Sequence, residues 1–240
     1  VRRLSIPRGR ALIGPVLYGV FLGGAFGAAY YALITIQAGL GQMLLALVPL
    51  ATLLLAVAVG QERLRVASLV GSVVAIAGIV VISAGSFGGS VPVLPLLAVF
   101  GGVLCFSAAT VTARRFPSVH PVMMNAVGMT TAAVLLISGS AIAREPFELP
   151  DLLATWMAVA YIAAVGSIVV FVLYLVVVRL WNASRAAYTF VITPVVTVLL
   201  SAWLDNEPIG LGLVLGGLLV LSGVYVGALR PTTAAGDDTG

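Results

Sequence analysis

Two stretches of this chain share a skeleton of residues that could handle a solute: PLATLLLAVAVGQE (Pro49–Glu62) and PVVTVLLSAWLDNE (Pro194–Glu207). Each opens with a proline, carries a threonine three residues on (Thr52, Thr197) and closes with a glutamate. A proline inside a helix removes one backbone donor and frees a carbonyl. That carbonyl can take a ligand's hydrogen bond, or one from the threonine, which shares its face of the helix. Glu62 and Glu207 fall at helix C-termini, where a carboxylate opposes the helix dipole. Two roles fit them: capping the next helix, which begins near Val66 or Ile209, or pairing with an arginine as a gate. Catalytic chemistry has no comparable candidate. The apolar runs hold no paired carboxylates, histidine cluster or activated nucleophile. Cys105 is the only cysteine, so an intramolecular disulfide and a multi-cysteine metal site are both excluded. No cofactor and no metal are expected.

Composition dictates what must position these residues. The chain has 240 residues, 61% hydrophobic and 8% charged, where a soluble domain carries roughly 25% charge. So few charges cannot cover a water-facing surface, and the bilayer is the expected solvent and first partner. All of the positive charge is arginine, scattered in short clusters between apolar runs. That pattern fits membrane orientation and not nucleic-acid binding.

Eight runs are long enough to span, taking about 20 residues as the requirement: about 14–36, 40–59, 66–85, 93–113, 120–142, 154–178, 185–204 and 209–229. A barrel would alternate apolar and polar residues in strands of about 10 residues. These runs are longer and lack a period of two, so the fold class is an all-α polytopic membrane protein. With the N-terminus inside, eleven of the twelve arginines fall in inside gaps, and only Arg144 falls outside. Both visible termini are then cytoplasmic, in a multi-pass protein of the cell (inner) membrane.

Adding 145 to the numbering brings the landmarks of one copy onto the other. Phe26 falls on Phe171, Ala38 on Ala183, Pro49 on Pro194, Thr52 on Thr197, Glu62 on Glu207, Gly71 on Gly216 and Gly78 on Gly223. Glu62 lies in an inside gap and Glu207 in an outside gap, so the copies point in opposite directions. Inverted repeats are the architecture of many secondary transporters.

The stretches Pro49…Gly60-Gln61-Glu62…Gly71…Gly78 and Pro194…Asp205-Asn206-Glu207…Gly216…Gly223 resemble the two halves of an EamA-type transporter of the drug/metabolite transporter superfamily. The resemblance covers about residues 14–229 and implies ten helices in two inverted five-helix halves around a central cavity. Eight of the ten are visible here, and the other two would precede Val1. The resulting division is 1–13 cytoplasmic loop, 14–85 remainder of the first repeat, 86–92 loop, 93–229 second repeat and 230–240 disordered cytoplasmic tail.

On this plan the substrate cavity draws on Tyr30, Tyr31, Gln42, Pro49, Thr52, Ser107, Thr110, Phe171, Tyr174, Tyr188, Thr193, Pro194 and Thr197. Cys105 and Thr189 belong to the same polar or aromatic set. Each tyrosine has interfacial anchoring as its competing role. Gly71, Gly78, Gly216 and Gly223 recur every seven residues on one helix face. Small residues let helices approach closely, so they are expected to pack helices within each half or to form a face for a homodimer. The leading function is transport of a small organic solute, with metabolite or amino-acid efflux implied by the resemblance. The alternatives are a truncated, non-transporting membrane partner and, with less support, an intramembrane enzyme.

Overall fold

A computed structural model describes residues 8–34, 47–83, 93–146, 149–193, 196 and 211–229. Every described element is helical: α1 (Ile13–Leu33, entered through a 3-10 turn, Gly9–Leu12), α2 (Val48–Ala58), α3 (Val66–Ser83), α4 (Val93–Arg115), α5 (Pro121–Ala143), α6 (Leu153–Leu180), α7 (Ala183–Ala187) and α8 (Leu211–Val224). A further helical stretch covers 189–193. Helix therefore occurs in each of the eight apolar runs. Among the described residues, four helices are long and apolar enough to cross a bilayer: Gly9–Ala32, Val93–Arg115, Pro121–Ala143 and Leu153–Leu180. Gln42, Pro194, Thr197 and Glu207 lie outside the described residues.

The helices are apolar on every side, which suits lipid and excludes an ordinary amphipathic surface helix. Their outward faces carry exposed Val20, Leu104, Ile137 and Leu180. Their inward faces converge on Tyr18, Leu22, Val103, Phe106, Met124, Tyr174, Leu175 and Val178. Helix α1 lies against α4 and α5, α2 against α4 and α7, and α3 against α8.

Local chemistry fixes the helix ends. Helix α2 stops at Gly60, whose φ of +72° suits a residue without a side chain. The N–H of Gly60 bonds to the Val57 carbonyl at 3.0 Å and that of Gln61 to the Ala56 carbonyl at 2.8 Å. This double closure is a Schellman turn, and it throws Gln61 and Glu62 off the helix axis. Helix α5 begins at His120, whose Nδ1 accepts the Val122 N–H. Arg114, at the end of α4, donates from Nη1 to the carbonyls of Val178 (3.1 Å) and Arg179 at the end of α6. The last carbonyls of a helix lie beyond the reach of its own N–H ladder and call for such outside donors.

Helix α6 is wide in the middle. Its π-helical segment Ile162–Val170 joins Leu153–Tyr161 to Phe171–Leu180. Such segments recur at functional sites. Asn125 on α5 donates from Nδ2 to the Ser167 carbonyl of this segment at 2.8 Å.

Candidate functional site

A cavity of about 470 Å³ opens between α4, α6 and the 189–193 stretch, lined by Phe106, Val170, Phe171, Leu173, Tyr174, Val177, Thr189, Phe190 and Thr193. That volume falls in the usual range for small-molecule sites, roughly 300–1,000 Å³. Three rings shape its wall. Phe106 and Phe190 meet edge to face with centroids 4.5 Å apart, and Tyr174 sits 5.8 Å from each. Aromatic pairs prefer these tilted and T-shaped arrangements, so the three hold one another in place.

Polar groups in the wall are few, and the hydroxyls of Tyr174 and Thr193 are engaged. The Tyr174 hydroxyl shares a hydrogen bond with Thr110 Oγ1 at 3.0 Å. Thr110 Oγ1 also donates to the Phe106 carbonyl at 3.0 Å, and Thr193 Oγ1 donates to the Thr189 carbonyl at 2.9 Å. No Asp, Glu, Arg or His is among the described lining residues.

Of the residues expected from sequence, Phe171, Tyr174, Thr189 and Thr193 line this cavity, and Thr110 supports it from behind. Others stand elsewhere. Tyr30 and Tyr31 are exposed on α1, and Tyr30 stacks on Phe26 at 6.1 Å. Pro49 occupies the first turn of α2 and is buried there with Thr52. Ser107 donates to the Val48 carbonyl at 3.4 Å, so this group joins α2 to α4 instead of facing the cavity. Thr52 Oγ1 is buried and has no hydrogen-bond partner among the described residues. Tyr188 is buried against α3. Its hydroxyl meets the Ser68 carbonyl and Ser72 Oγ, each at 2.9 Å, while Ser68 Oγ donates to the Gly227 carbonyl at 3.2 Å.

Sequence reasoning missed Phe106, Val170, Leu173, Val177 and Phe190. An apolar residue in an all-apolar span gives no periodic signal. An available cue was asymmetry between the copies: Tyr174 and Phe190 fall in register with Ala29 and Leu45.

The glycines act across the chain. A Cβ on Gly71 would lie 2.5 Å from Gly227 Cα and 2.6 Å from the Gly223 oxygen, and one on Gly78 would lie 2.7 Å from the Gly216 oxygen. So α3 and α8 pack backbone to backbone, where packing within each half or between copies was expected. Glu62 also departs from expectation. Its Oε1 accepts the Ser184 N–H at 3.1 Å and its Oε2 accepts the Ser184 hydroxyl. The Schellman turn points the carboxylate toward α7 and away from the start of α3 near Val66. Beside it, Gln61 Nε2 donates to the Val111 carbonyl at 3.0 Å.

The model of the EamA-like transporter family matches residues 1–84 and 93–228. The chain belongs to this family. Relatives in other organisms are named as transporters. It is 30% identical to the uncharacterized transporter YvbV of Bacillus subtilis over 169 residues, 68% of this chain and 54% of that protein. It is 29% identical to the uncharacterized inner membrane transporter YedA of Escherichia coli over 231 residues, 93% of this chain and 74% of that one. The chain thus spans about half to three-quarters of these relatives' lengths. A solved crystal structure superimposes with a TM-score of 0.78 at 22% identity, covering 95% of this chain and 79% of that one. At that identity the likeness concerns the fold. Family and relatives together make this a multi-pass membrane protein of a transporter family.

Proposed function

We propose that this EamA-like chain carries small, mostly apolar organic solutes of no net charge by alternating access between two inverted repeats. The observation that carries the reading is a reciprocity of contacts. Under the shift of 145, Phe26 and Phe171 are mates, and their rings touch at 5.8 Å. A residue meets its own mate only near a two-fold axis. Gly71 packs on Gly223, the mate of Gly78, and Gly78 packs on Gly216, the mate of Gly71. That exchange is the contact rule of a two-fold interface. Phe171 also lines the cavity, so a solute there would sit beside the axis about which two inverted halves rock.

The cavity's chemistry supports the solute class. Burying a charge without a partner is costly, and among the described residues its walls offer hydroxyls and rings but no counter-charge. The same lack argues against a carboxylate proton relay in these helices. Outward direction, of metabolites or amino acids with apolar side chains, follows the family resemblance. The ends that follow α2, α4 and α6 are joined by Glu62–Ser184 and Arg114–Arg179, and Arg63, Arg65, Arg114, Arg115, Arg179 and Arg185 lie in or beside them. By the arginine rule this end faces the cytoplasm.

Flux into proteoliposomes, screened over uncharged and zwitterionic solutes, is the test. Thr193→Trp, which puts an indole into the cavity, is expected to lower flux at least tenfold with the protein still folded. Undiminished flux through that variant would remove this cavity from the pathway.

A further inference from the structure

Among the contacts between the two halves, two kinds differ in their place relative to the axis. On it lie ring and glycine contacts, Phe26 on Phe171 and α3 on α8. A rocking motion about the axis preserves these. Away from it, at the arginine-rich end, lie polar contacts that water can replace. Both oxygens of Glu62 are held by Ser184, one through its N–H and one through its hydroxyl. Gln61 adds its bond to Val111. All three bonds run from one two-residue turn of the first half to two helices of the second. Glu62 is half-buried while Ser184 is buried, so opening this end would hydrate both partners.

We infer that Glu62 and Ser184 form a latch that shuts the arginine-rich end of the transporter, and that the sequence makes it stronger than its counterpart at the opposite end. This inference rests on the transport reading above. The counterpart follows from the repeat: Glu62 has Glu207 as its mate, and Ser184 has Gly39. Glycine offers an N–H but no hydroxyl. The mirrored pair therefore lacks the hydroxyl that supplies the second, charge-assisted bond, the stronger class of hydrogen bond. A difference of one such bond between two conformations shifts their ratio by about tenfold or more. The resting protein accordingly favours the conformation closed at the arginine-rich end. Glu62 and Ser184 set this balance without touching solute.

The experiment reads which side of the membrane reaches the cavity. In a Cys105→Ser, Thr193→Cys background, a membrane-impermeant maleimide is applied to right-side-out and inside-out vesicles, and the two labelling rates are compared. The parent is expected to label faster from the side opposite the arginine-rich end. Glu62→Ala and Ser184→Ala are each expected to shift the ratio about tenfold toward the arginine-rich side. Gly39→Ser, which gives the mirror latch its missing hydroxyl, should shift it the same way. Ser184→Ala removes a single oxygen and keeps the test alive if Glu62→Ala does not fold. A merely structural fastening would lower the melting temperature in all latch variants and leave the ratio within twofold of the parent; that result overturns the latch. Solute flux, measured on the unaltered chain, separates the two proposals. Flux with an unshifted ratio sinks the latch alone, and a shifted ratio without flux sinks the transport reading alone.

Discussion

Leucine at Gly71 or Gly223 is expected to leave little folded protein, whereas leucine at Gly139 is expected to be harmless or mildly stabilising. All three glycines lie inside helices, so helix propensity alone favours each substitution by about 0.5–1 kcal/mol. Space decides the sign. A Cβ at Gly71 would lie 2.5 Å from the backbone N and Cα of Gly227, and one at Gly223 would lie 2.6 Å from Ala75 N and the Gly71 oxygen. Backbone atoms cannot rotate away as a side-chain tip can, so α3 and α8 would have to separate. Adding even one methylene to a well-packed interior costs roughly 1–3 kcal/mol, and a leucine adds four carbons. At Gly139 a Cβ meets nothing within 4 Å. Size-exclusion profiles and melting temperatures in detergent check the comparison. Equal losses at all three positions would mean that glycine is needed for helix flexibility and not for close approach.

The glycine result also marks how far sequence reaches. The seven-residue spacing of Gly71/Gly78 and Gly216/Gly223 told of a flat face, because small residues on one side of a membrane helix have little other use. It could not name the partner: a flat face fits a helix of its own half, of the other half, or of a second copy. The same limit applies at Glu62. Its place at a helix end was legible from Gly60-Gln61-Glu62, but the direction of its carboxylate depends on the left-handed turn at Gly60, which one residue type permits and does not dictate.

The cavity was the least legible part. Tyr174, Phe171 and Thr193 stood out because they are aromatic or polar in apolar runs. Tyr30 and Tyr31 stood out for the same reason and are exposed on α1. In lipid, a helix that is apolar all round has no inward face written in its pattern, so burial has to come from packing. Phe106 and Phe190 became visible only as partners of Tyr174.

Tyr174 is where the cavity's wall and its support coincide, and its two substitutions are expected to behave differently. Tyr174→Phe keeps the ring between Phe106 and Phe190 and removes one hydroxyl. That hydroxyl is already bonded to Thr110, and Thr110 retains its bond to the Phe106 carbonyl. The loss is of order 0.5–1.5 kcal/mol in stability, with apparent KM for the transported solute within about threefold of the parent. Tyr174→Ala deletes the ring. Large-to-small changes at buried aromatic positions cost about 3–5 kcal/mol, and here Phe106 and Phe190 also lose the ring that braces them. A solute held by contact with that wall should then show apparent KM raised more than tenfold, measured on protein matched for folded amount. A KM raised by Tyr174→Phe as strongly as by Tyr174→Ala would mean that the hydroxyl leaves Thr110 to bind solute. An unchanged KM in Tyr174→Ala would move the binding site out of this cavity, because no solute packed against the Phe106–Tyr174–Phe190 wall could lose its central ring without weakening.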